Sequence, residues 1–347
     1  MKVVIPLAGK GTRLRPHTHT TPKPLLRVGG QPVMSYIMRD LEALGVSEAV
    51  FITGHLKEKA EAYVREEWPG FTAHFVEQPV QNGTAGAVLL AEPFIDEDLL
   101  IIFVDTLFDA DLGMAKRLPA DAAGIIWAKE VEDYQRFGVV VLDEDGNMQR
   151  IVEKPTEPIS KLANIGLYYI RDWKLLFEGI HHTMHQPPGP SGEFYLTDAF
   201  QYMIDNGAKI RVGEVDGWYD CGKLDTLLET NLHLLETTRA LDPDGGVNVS
   251  INGPVRVAPG VTLENVTLGP NVSIETGCEI RNATLRDCIV GRNTVIRNAS
   301  LHDSLIGDNA HLENVNGIAN AGDDTSIVGV SGASVSPPSG FRSGPGE

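Results

Sequence analysis

Two short stretches near the start of the chain carry residues that can bind phosphate. The first, LAGKGTRLRP, spans Leu7–Pro16, and its two glycines, Gly9 and Gly11, let backbone N–H groups approach an anion. Arg13 adds a guanidinium that is always charged, and Lys23 in the PKPLL stretch adds a compact ammonium. The prolines on both sides of that lysine fix its backbone. Together these groups predict a polyphosphate site.

The glycine spacing excludes two common phosphate loops. A nucleotide-hydrolase loop has two glycines five residues apart, followed by Lys and Ser or Thr. A dinucleotide-binding loop has a third glycine where this chain has Leu14. A turn with two solvated cations remains the alternative. We favour the phosphate site because further charged residues follow in an order that suits the same chemistry.

The combination of LAGKGTRLRP and PKPLL resembles the signature of the sugar-1-phosphate nucleotidylyltransferases, or nucleoside-diphosphate-sugar pyrophosphorylases. The resemblance covers residues 1 to about 240. It implies transfer of a nucleotidyl group from an NTP to a sugar 1-phosphate, with release of pyrophosphate and with Mg²⁺ as cofactor. Because two anionic groups must be joined, such catalysis depends on positioning and charge neutralisation. We therefore expect cations for the phosphates and carboxylates for the metal.

Two aspartates are the expected metal ligands. Asp105 ends the apolar run LLIIFVD, and open α/β sheets bind ligands at the carboxyl ends of their strands. Asp220 in GWYDCGK directly precedes an expected helix, and hard oxygen ligands suit Mg²⁺. The resemblance implies that this pair holds the metal between the nucleotide α-phosphate and the sugar phosphate. The family usually has glycine where this chain has Val104, which we expect to alter the backbone near the base or ribose.

The resemblance also assigns the base and the sugar phosphate. Gln78 lies five residues before Gly83 in EQPVQNGTAGA, a spacing found in pyrimidine-using members, and an amide suits a uracil or thymine imide edge. This favours dTTP or UTP with glucose 1-phosphate. GTP with mannose 1-phosphate, and UTP with N-acetylglucosamine 1-phosphate, stay open. Glu153 and Lys154 in VEKP are expected at the sugar phosphate.

The full set of expected site residues has three overlapping parts. The nucleotide set is Leu7, Ala8, Gly9, Gly11, Thr12, Arg13, Lys23, Gln78, Gly83, Thr84 and Asp105. The sugar-phosphate set is Gly138, Glu153, Lys154, Asn164, Glu193 and Trp218. The catalytic set is Arg13, Lys23, Asp105, Lys154 and Asp220, with Asp105 and Asp220 as metal ligands.

Composition excludes several other classes of protein. The 347 residues carry a formal net charge of −18, which argues against a nucleic-acid partner. The three cysteines lack metal-ligand spacing and are too few for a disulfide framework. No apolar run is long enough to span a membrane and no secretory signal is evident. We expect a cytoplasmic protein with small-molecule substrates.

The elements that must position these residues follow from patterning. Over residues 1–240, short apolar runs alternate with amphipathic stretches, which predicts a Rossmann-like α/β nucleotidyltransferase domain with a mostly parallel sheet. Expected strands are Val3–Ile5, Val50–Thr53, Phe71–Val76, Leu99–Val104, Gly124–Lys129, Val139–Leu142, Gln149–Glu153 and Gly166–Ile170; expected helices are Pro32–Leu44, Leu56–Glu67 and Lys223–Thr238.

Beyond residue 240 the sequence pattern changes to short repeated units of five or six residues, such as VTLEN, VSIETG and ATLRDC. Each pairs an inward aliphatic residue with a turn residue, so residues 241–330 are expected to form a left-handed parallel β-helix with three units per coil. Residues 331–347 are rich in Ser, Gly and Pro and are expected to be a disordered tail.

Several other functions were weighed. A catalytically silent regulatory subunit is a rival, as is a glycosyltransferase, although the latter commonly carries an Asp-x-Asp motif that Asp105-Thr-Leu lacks. The β-helix could add acetyltransferase activity through Cys278, His302 or His311, but we favour a role in homo-oligomerisation. The histidines of HHTMHQPPGP, which start at His181, fall on an expected helix end followed by prolines and are expected to lie in an exposed loop.

Overall fold

The structure is a computed structural model of the chain that describes residues 1–237 and 246–329. The described residues fall into two compact units. The first comprises Met1–Arg27 and Gln31–Thr230, and the second comprises Val28–Gly30 and the chain from Asn231 onward. The expected tail at 331–347 lies outside the described residues, as does the expected boundary at 240–241, so the domain limits stay predictions.

Among the described residues, the first unit is built on a nine-stranded sheet. In hydrogen-bonded order its main path is Met148–Glu153, Gly138–Leu142, Leu162–Ile170, Leu99–Ile102, Lys2–Pro6, Glu48–Thr53 and Thr72–Glu77, with Gly124–Glu130 joining Leu162–Ile170 to Ile210–Glu214. The four strands from Leu99–Ile102 to Thr72–Glu77 are mutually parallel. Leu162–Ile170 runs antiparallel to its neighbours. The predicted Rossmann-like α/β architecture is confirmed, with a mixed sheet.

The central strands are buried because helices cover the sheet. Val3–Ile5 and Leu99–Ile102 have no exposed surface, as expected for parallel strands packed on both faces. Within residues 1–237 the helices are α1 (Val33–Leu44), α2 (Lys57–Glu67), α3 (Thr84–Leu89), α4 (Trp173–Met184), α5 (Leu196–Asp205) and α6 (Leu224–Thr237). The three predicted helices agree with α1, α2 and α6 within one residue at each end. None of the helices in the described part of the chain is long and apolar enough to cross a membrane.

The histidines lie at the end of a helix, as their spacing predicts, rather than within the loop that follows it. His181 and His182 form the last turn of α4, and His185 follows it. Leu176, Phe177 and Ile180 form a buried stripe that packs this helix against the core. The helix therefore continues to Met184, shortly before the prolines. The three histidines are exposed, as expected.

The second unit is a stack of parallel strands. Its strands are Val247–Ile251, Val255–Val257, Thr262–Leu268, Val272–Ile274, Glu279–Val290, Val295–Ile306, His311–Glu313, Asn316–Gly317, Asn320–Ala321 and Ser326–Val328. All of their pairings are parallel, and paired residues are 15 to 17 positions apart along the chain. That spacing equals three of the short sequence units, so the structure is that of a parallel β-helix.

The coils turn at residues in the left-handed backbone region. Asn265, Asn282 and Asn298 occupy equivalent corners with φ of 50° to 54°. Their side chains form a ladder in which Nδ2 of one asparagine donates to Oδ1 of the next at 3.0–3.1 Å. Asparagine tolerates this backbone better than most residues, which explains why Asn recurs in the sequence units. Leu263, Ile280, Ile296 and Leu312 stack in register inside the coils.

Candidate functional site

The predicted phosphate loop leaves the sheet at the end of Lys2–Pro6. Gly11 has a φ of 57°, and a single 3₁₀ turn, Thr12–Leu14, follows it. Apart from its neighbours in the chain, no atom of residues 1–237 or 246–329 lies within 4 Å of the place where a Cβ of Gly9 would be, so that side of the loop is open. Arg13 is exposed beside it. The loop therefore offers backbone N–H groups and a guanidinium to an open space.

That open space is a cavity of about 450 Å³. All eleven residues of the predicted nucleotide set line it, together with Pro6, Pro24, Gln81, Ala87, Phe103, Val104 and Glu193. The set is drawn from segments separated by up to about 100 residues, and the parallel strands bring their carboxyl ends together at one edge. Its size and lining suit a small-molecule ligand. We call it the first cavity.

Gln78 is held in one orientation at the wall of the first cavity. The side chain is 8% exposed, and its Nε2 donates to the Gly83 carbonyl at 3.3 Å and to Asn82 Oδ1 at 3.2 Å. Gly83 has a φ of 111°, and a Cβ there would lie 2.3 Å from the Phe194 carbonyl oxygen. The amide is thus fixed by partners that are themselves constrained. This leaves Oε1 as an acceptor that suits an imide N–H.

A second cavity of about 480 Å³ contains the other predicted set. All six residues of the sugar-phosphate set line it, as do Asp105 and Asp220. The two cavities share five lining residues, namely Arg13, Thr84, Phe103, Asp105 and Glu193. The structure therefore joins two adjacent binding spaces at two carboxylates, Asp105 and Glu193, and one guanidinium, Arg13.

The two aspartates are brought together by a short antiparallel ladder. Thr106–Asp109 pairs with Gly217–Asp220, so that Asp220 lies opposite Thr106. The Cys221 N–H donates to the Asp105 carbonyl oxygen at 2.9 Å. The backbone segments that carry the two aspartates are therefore neighbours, and both residues lie at the wall of the second cavity.

Each aspartate has cationic or N–H groups close to it. Lys23 Nζ is 3.3 Å from Asp105 Oδ2. Asp220 Oδ1 accepts from the Gly222 N–H at 2.7 Å, and its Oδ2 lies 4.0 Å from Arg136. No group of three or more His, Cys, Asp and Glu residues suited to a metal occurs in residues 1–237 or 246–329. A cation held here would have these two carboxylates and would take its remaining ligands from substrate and water.

Lys154 is held in an unusual backbone conformation. Its φ is 44°, which is rare for a residue other than glycine, and its N–H donates to the Phe137 carbonyl at 2.9 Å. Its Nζ lies 3.5 Å from Glu153 Oε1 and 5.2 Å from the centre of the Tyr195 ring. Such strain is common at functional sites.

The carboxylate of Glu153 is largely shielded from solvent. Burial raises its pKa, and the neighbouring Lys154 opposes that shift only in part. The Thr197 hydroxyl donates to Glu153 Oε2 at 3.4 Å. A desolvated carboxylate of this kind is a strong acceptor for a hydroxyl group that enters the cavity.

The far wall of the second cavity is a close-packed polar cluster. Asn164 Nδ2 donates to the Gly138 carbonyl at 2.9 Å, and the Tyr168 hydroxyl donates to Asn164 Oδ1. A Cβ at Gly138 would lie 2.2 Å from Asn164 Nδ2, so a larger residue there would displace the Asn164 amide. Trp218 packs edge-on against Phe137, with ring centres 4.8 Å apart. Its buried Nε1 has no hydrogen-bond partner among the described residues.

Several lining residues lie outside the predicted sets, and three of them are polar groups with defined contacts. Arg136 lines the second cavity and pairs with Asp133 at 2.7 Å. Tyr195 places its ring beside Lys154, and Gln81 donates from Nε2 to the Ala8 carbonyl at 2.7 Å in the first cavity. Arg136 lies two residues before the predicted Gly138, and Gln81 lies between the predicted Gln78 and Gly83, so both had a signal in the sequence. The contact of Tyr195 depends on loop packing.

The three residues expected for an added acetyltransferase activity in the β-helix are buried or paired with nearby carboxylates. Cys278 is buried in the core, and burial raises its thiol pKa to about 12. His302 pairs with its neighbour Asp303 at 2.8 Å, and His311 lies 3.6 Å from Glu313. A thiol in such surroundings is a poor nucleophile.

Comparisons with known proteins point in the same direction. The model of the family described as nucleotidyl transferase matches residues 2–237. The chain is 33% identical over 244 residues to UTP–glucose-1-phosphate uridylyltransferase AglF of Haloferax volcanii, an alignment covering 69% of this chain and 98% of the relative. It is 30% identical over 315 residues to a glucose-1-phosphate thymidylyltransferase of Streptomyces antibioticus, covering 84% and 87% of the two chains.

Two further matches are less complete. The chain is 34% identical over 278 residues to the bifunctional protein GlmU of Methanocaldococcus jannaschii, covering 80% of this chain and 61% of the relative's length. The crystal structure of a UDP-glucose pyrophosphorylase complexed with UDP-glucose matches with a TM-score of 0.59 at 24% identity, covering 68% of this chain and 99% of that one. At that identity the match shows a shared fold.

Proposed function

This chain belongs to the nucleotidyl transferase family, and on that basis we propose that it is a sugar-1-phosphate nucleotidyltransferase that uses dTTP or UTP and glucose 1-phosphate. The products are the NDP-sugar and pyrophosphate. The observation that carries this proposal is the pair of cavities that meet at Asp105 and Arg13. A reaction between two phosphorylated substrates needs two adjacent sites with shared charged groups between them.

The roles of the cationic residues follow from their places. Arg13 and Lys23 lie at the first cavity and would hold the triphosphate, with Arg13 stabilising the departing pyrophosphate. Lys154 and Arg136 lie at the second cavity and would hold the sugar phosphate for in-line attack. The attacking phosphate oxygen is already deprotonated near neutral pH, so the chain needs to supply no nucleophile or general base.

Asp105 and Asp220 would hold Mg²⁺. Two carboxylates on neighbouring backbone provide hard oxygen donors, which fit an ion that keeps waters and takes phosphate oxygens as further ligands. When bound, the ion would neutralise charge on the phosphates of both substrates. The chain's own part is to position these two carboxylates: the Gly222 N–H orients the Asp220 carboxylate, and the Cys221 N–H fixes the Asp105 backbone carbonyl.

Gln78 and Glu153 support the choice of nucleoside and sugar. The Oε1 acceptor of Gln78 suits the imide N–H of uracil or thymine. One relative is named for UTP and another for thymidylyl transfer, and both are named for glucose 1-phosphate. The acceptor Glu153 in the second cavity suits a sugar rich in hydroxyl groups.

A pyrophosphate-release assay tests the proposal. The full-length protein with Mg²⁺ would be supplied with each NTP in combination with the 1-phosphates of glucose, N-acetylglucosamine, mannose and galactose. We expect the fastest turnover with glucose 1-phosphate and either dTTP or UTP. Preference for GTP or another sugar would overturn the substrate assignment. No turnover with any combination would instead favour a catalytically silent subunit.

We also propose that the protein forms a homo-oligomer through its second unit. Among the described residues, three of the five large hydrophobic side chains that are most exposed, Val247, Ile318 and Val328, lie on the β-helix. Light scattering would compare the full chain with Ile318→Asp plus Val328→Asp. A smaller species for the variant is expected, and an unchanged mass would contradict this interface.

A further inference from the structure

The phosphate loop is supported from behind by a buried threonine outside the predicted site. Thr18 lies in a single 3₁₀ turn, His17–His19, and is 1% exposed. Its Oγ1 donates to the Gly11 carbonyl oxygen at 2.9 Å. The same oxygen accepts from the Leu14 N–H at 2.9 Å. The Gly11 carbonyl is thus fixed by two donors.

The fixed carbonyl determines where the next N–H points. A peptide group is planar and trans, so its C=O and N–H bonds lie on opposite sides. Since the Gly11 carbonyl points toward Thr18, the Thr12 N–H of the same peptide group points away from it. Thr12 and Arg13 both line the first cavity. The Thr18 hydroxyl therefore sets the orientation of a donor at the cavity wall.

Gly11 itself lies close to both Thr18 and Lys23. A Cβ at Gly11 would lie 2.9 Å from Thr18 Cγ2 and 3.3 Å from Lys23 Cβ. The loop backbone, the Thr18 side chain and the stem of Lys23 are therefore packed together at this point. Close packing of this kind transmits small displacements.

Thr18 is in turn held by the segment after Glu48–Thr53. His55 Nε2 lies 2.9 Å from the Thr18 carbonyl oxygen, and since a carbonyl only accepts, Nε2 carries the proton of this bond. The His55 N–H donates to the Ala8 carbonyl at 3.4 Å. A Cβ at Gly54 would lie 2.8 Å from that same Ala8 oxygen. The Gly54–His55 segment therefore contacts both Ala8, at the start of the phosphate loop, and Thr18.

We propose that Thr18 is a positioning residue for nucleotidyl transfer. Its hydroxyl orients the Gly11–Thr12 peptide group of the loop that carries Arg13. This inference rests on the proposed function, in which Arg13 and Lys23 hold the triphosphate. If Thr18 acted only in the fold, loss of its hydroxyl would lower the activity and the thermal stability of the protein together.

The decisive comparison is Thr18→Val, which replaces the hydroxyl by a methyl group of similar size, with Thr18→Ser, which keeps the hydroxyl. The control is Thr20→Val, because the Thr20 hydroxyl donates to the His17 carbonyl at 3.3 Å within the same segment. The full-length variants would be assayed for kcat and for the KM of each substrate, and their thermal unfolding would be measured.

Thr18→Val is expected to lower kcat/KM for the NTP about 10- to 100-fold, the usual cost of a small misplacement at a reacting centre. Its KM for the sugar 1-phosphate should stay within twofold, and its Tm close to that of the wild type, because the Leu14 bond to Gly11 remains. Thr18→Ser should keep most of the activity. Equal activity in Thr18→Val and Thr20→Val would overturn the proposal, as would a loss that follows Tm.

Arg13→Ala separates this failure from failure of the proposed function. If Arg13→Ala loses turnover while Thr18→Val keeps it, the loop binds phosphate but Thr18 does not position it. If Arg13→Ala turns over like the wild type, the role given to the loop is wrong and the inference about Thr18 falls with it.

Discussion

The two cavities of the first unit are built in different ways. The first is formed largely by glycine backbone, two permanent cations and one oriented amide. The second is formed by side chains in costly states, with Lys154 in a left-handed backbone conformation and a desolvated Glu153. A triphosphate needs charge and N–H donors, which an open loop can supply. A sugar with many hydroxyl groups needs acceptors and donors fixed in advance, and that preorganisation costs stability.

This difference predicts which substrate, or which step of the reaction, each variant will affect. Changes in the first cavity should affect the NTP, and changes in the second should affect the sugar 1-phosphate and, for the desolvated groups, the stability of the fold. Residues shared by both cavities should affect the step itself. Variants at the four positions below would sharpen or break that division.

Asp105→Asn should give the largest effect, because Asp105 lines both cavities and is a proposed metal ligand. The change removes a negative charge while it preserves shape, so kcat should fall by about 10³-fold, with little change in the fold. The measurement is pyrophosphate release at saturating substrates. Asp121→Asn, at an exposed ion pair with Lys209, is the matched control. Turnover within tenfold of the control would remove Asp105 from the reacting centre.

Lys154→Met should act on one substrate. Loss of a charge-assisted hydrogen bond is worth about 1.5–3 kcal/mol, so kcat/KM for the sugar 1-phosphate should fall about 10- to 100-fold. The KM for the NTP should change little. Lys161→Met, at an exposed ion pair with Glu132, is the control. A larger effect on the NTP than on the sugar 1-phosphate would show that the two cavities have been assigned the wrong way round.

Sequence analysis could predict what is encoded locally. The β-helix follows from a short repeat in which Leu or Ile faces inward and Asn or Asp forms the corner, as at Leu263 and Asn265. The phosphate loop is likewise a continuous stretch. The family resemblance then supplied distant partners such as Gln78 and Lys154, which the structure places at the two cavities.

What could not be predicted depends on packing between segments. Tyr195 reaches Lys154 because two segments distant in the chain pack together, and Thr18 reaches Gly11 because the chain after Leu14 turns back onto its own loop. Neither residue stands out in sequence, since a threonine between two histidines or a tyrosine before a helix has many ordinary uses. The left-handed backbone of Lys154 was also hidden, because glycine is the usual signal for that conformation.

Gln78→Leu should weaken the choice of base. The leucine keeps the volume of the side chain but offers no acceptor, so a bound pyrimidine would lose a hydrogen bond worth about 1 kcal/mol. We expect kcat/KM for the preferred NTP to fall about fivefold to tenfold, while the poorer NTPs change little. The measurement is the NTP series at fixed sugar 1-phosphate. An equal loss for every NTP would mean that Gln78 supports the loop rather than the base.

Glu153→Gln should cost activity but stabilise the fold, because the second cavity holds its carboxylate against a desolvation penalty. The pKa of Glu153 is raised above its ordinary value of 4.5, chiefly by burial. The native state therefore binds more protons than the unfolded state between that value and the raised pKa, and wild-type stability falls as pH rises through this window. Glutamine does not titrate, so the stability advantage of the variant over the wild type should grow across the window and then level off.

At neutral pH we expect a Tm higher by about 2–4 °C, or about 1 kcal/mol for a unit of this size. Thermal unfolding of Glu153→Gln from pH 4 to 7.5, with exposed Glu157→Gln as the control, measures this. A variant less stable than the wild type at every pH would show that the pairing of Glu153 with Lys154 outweighs its burial, and the contrast between the cavities would then lose its energetic basis.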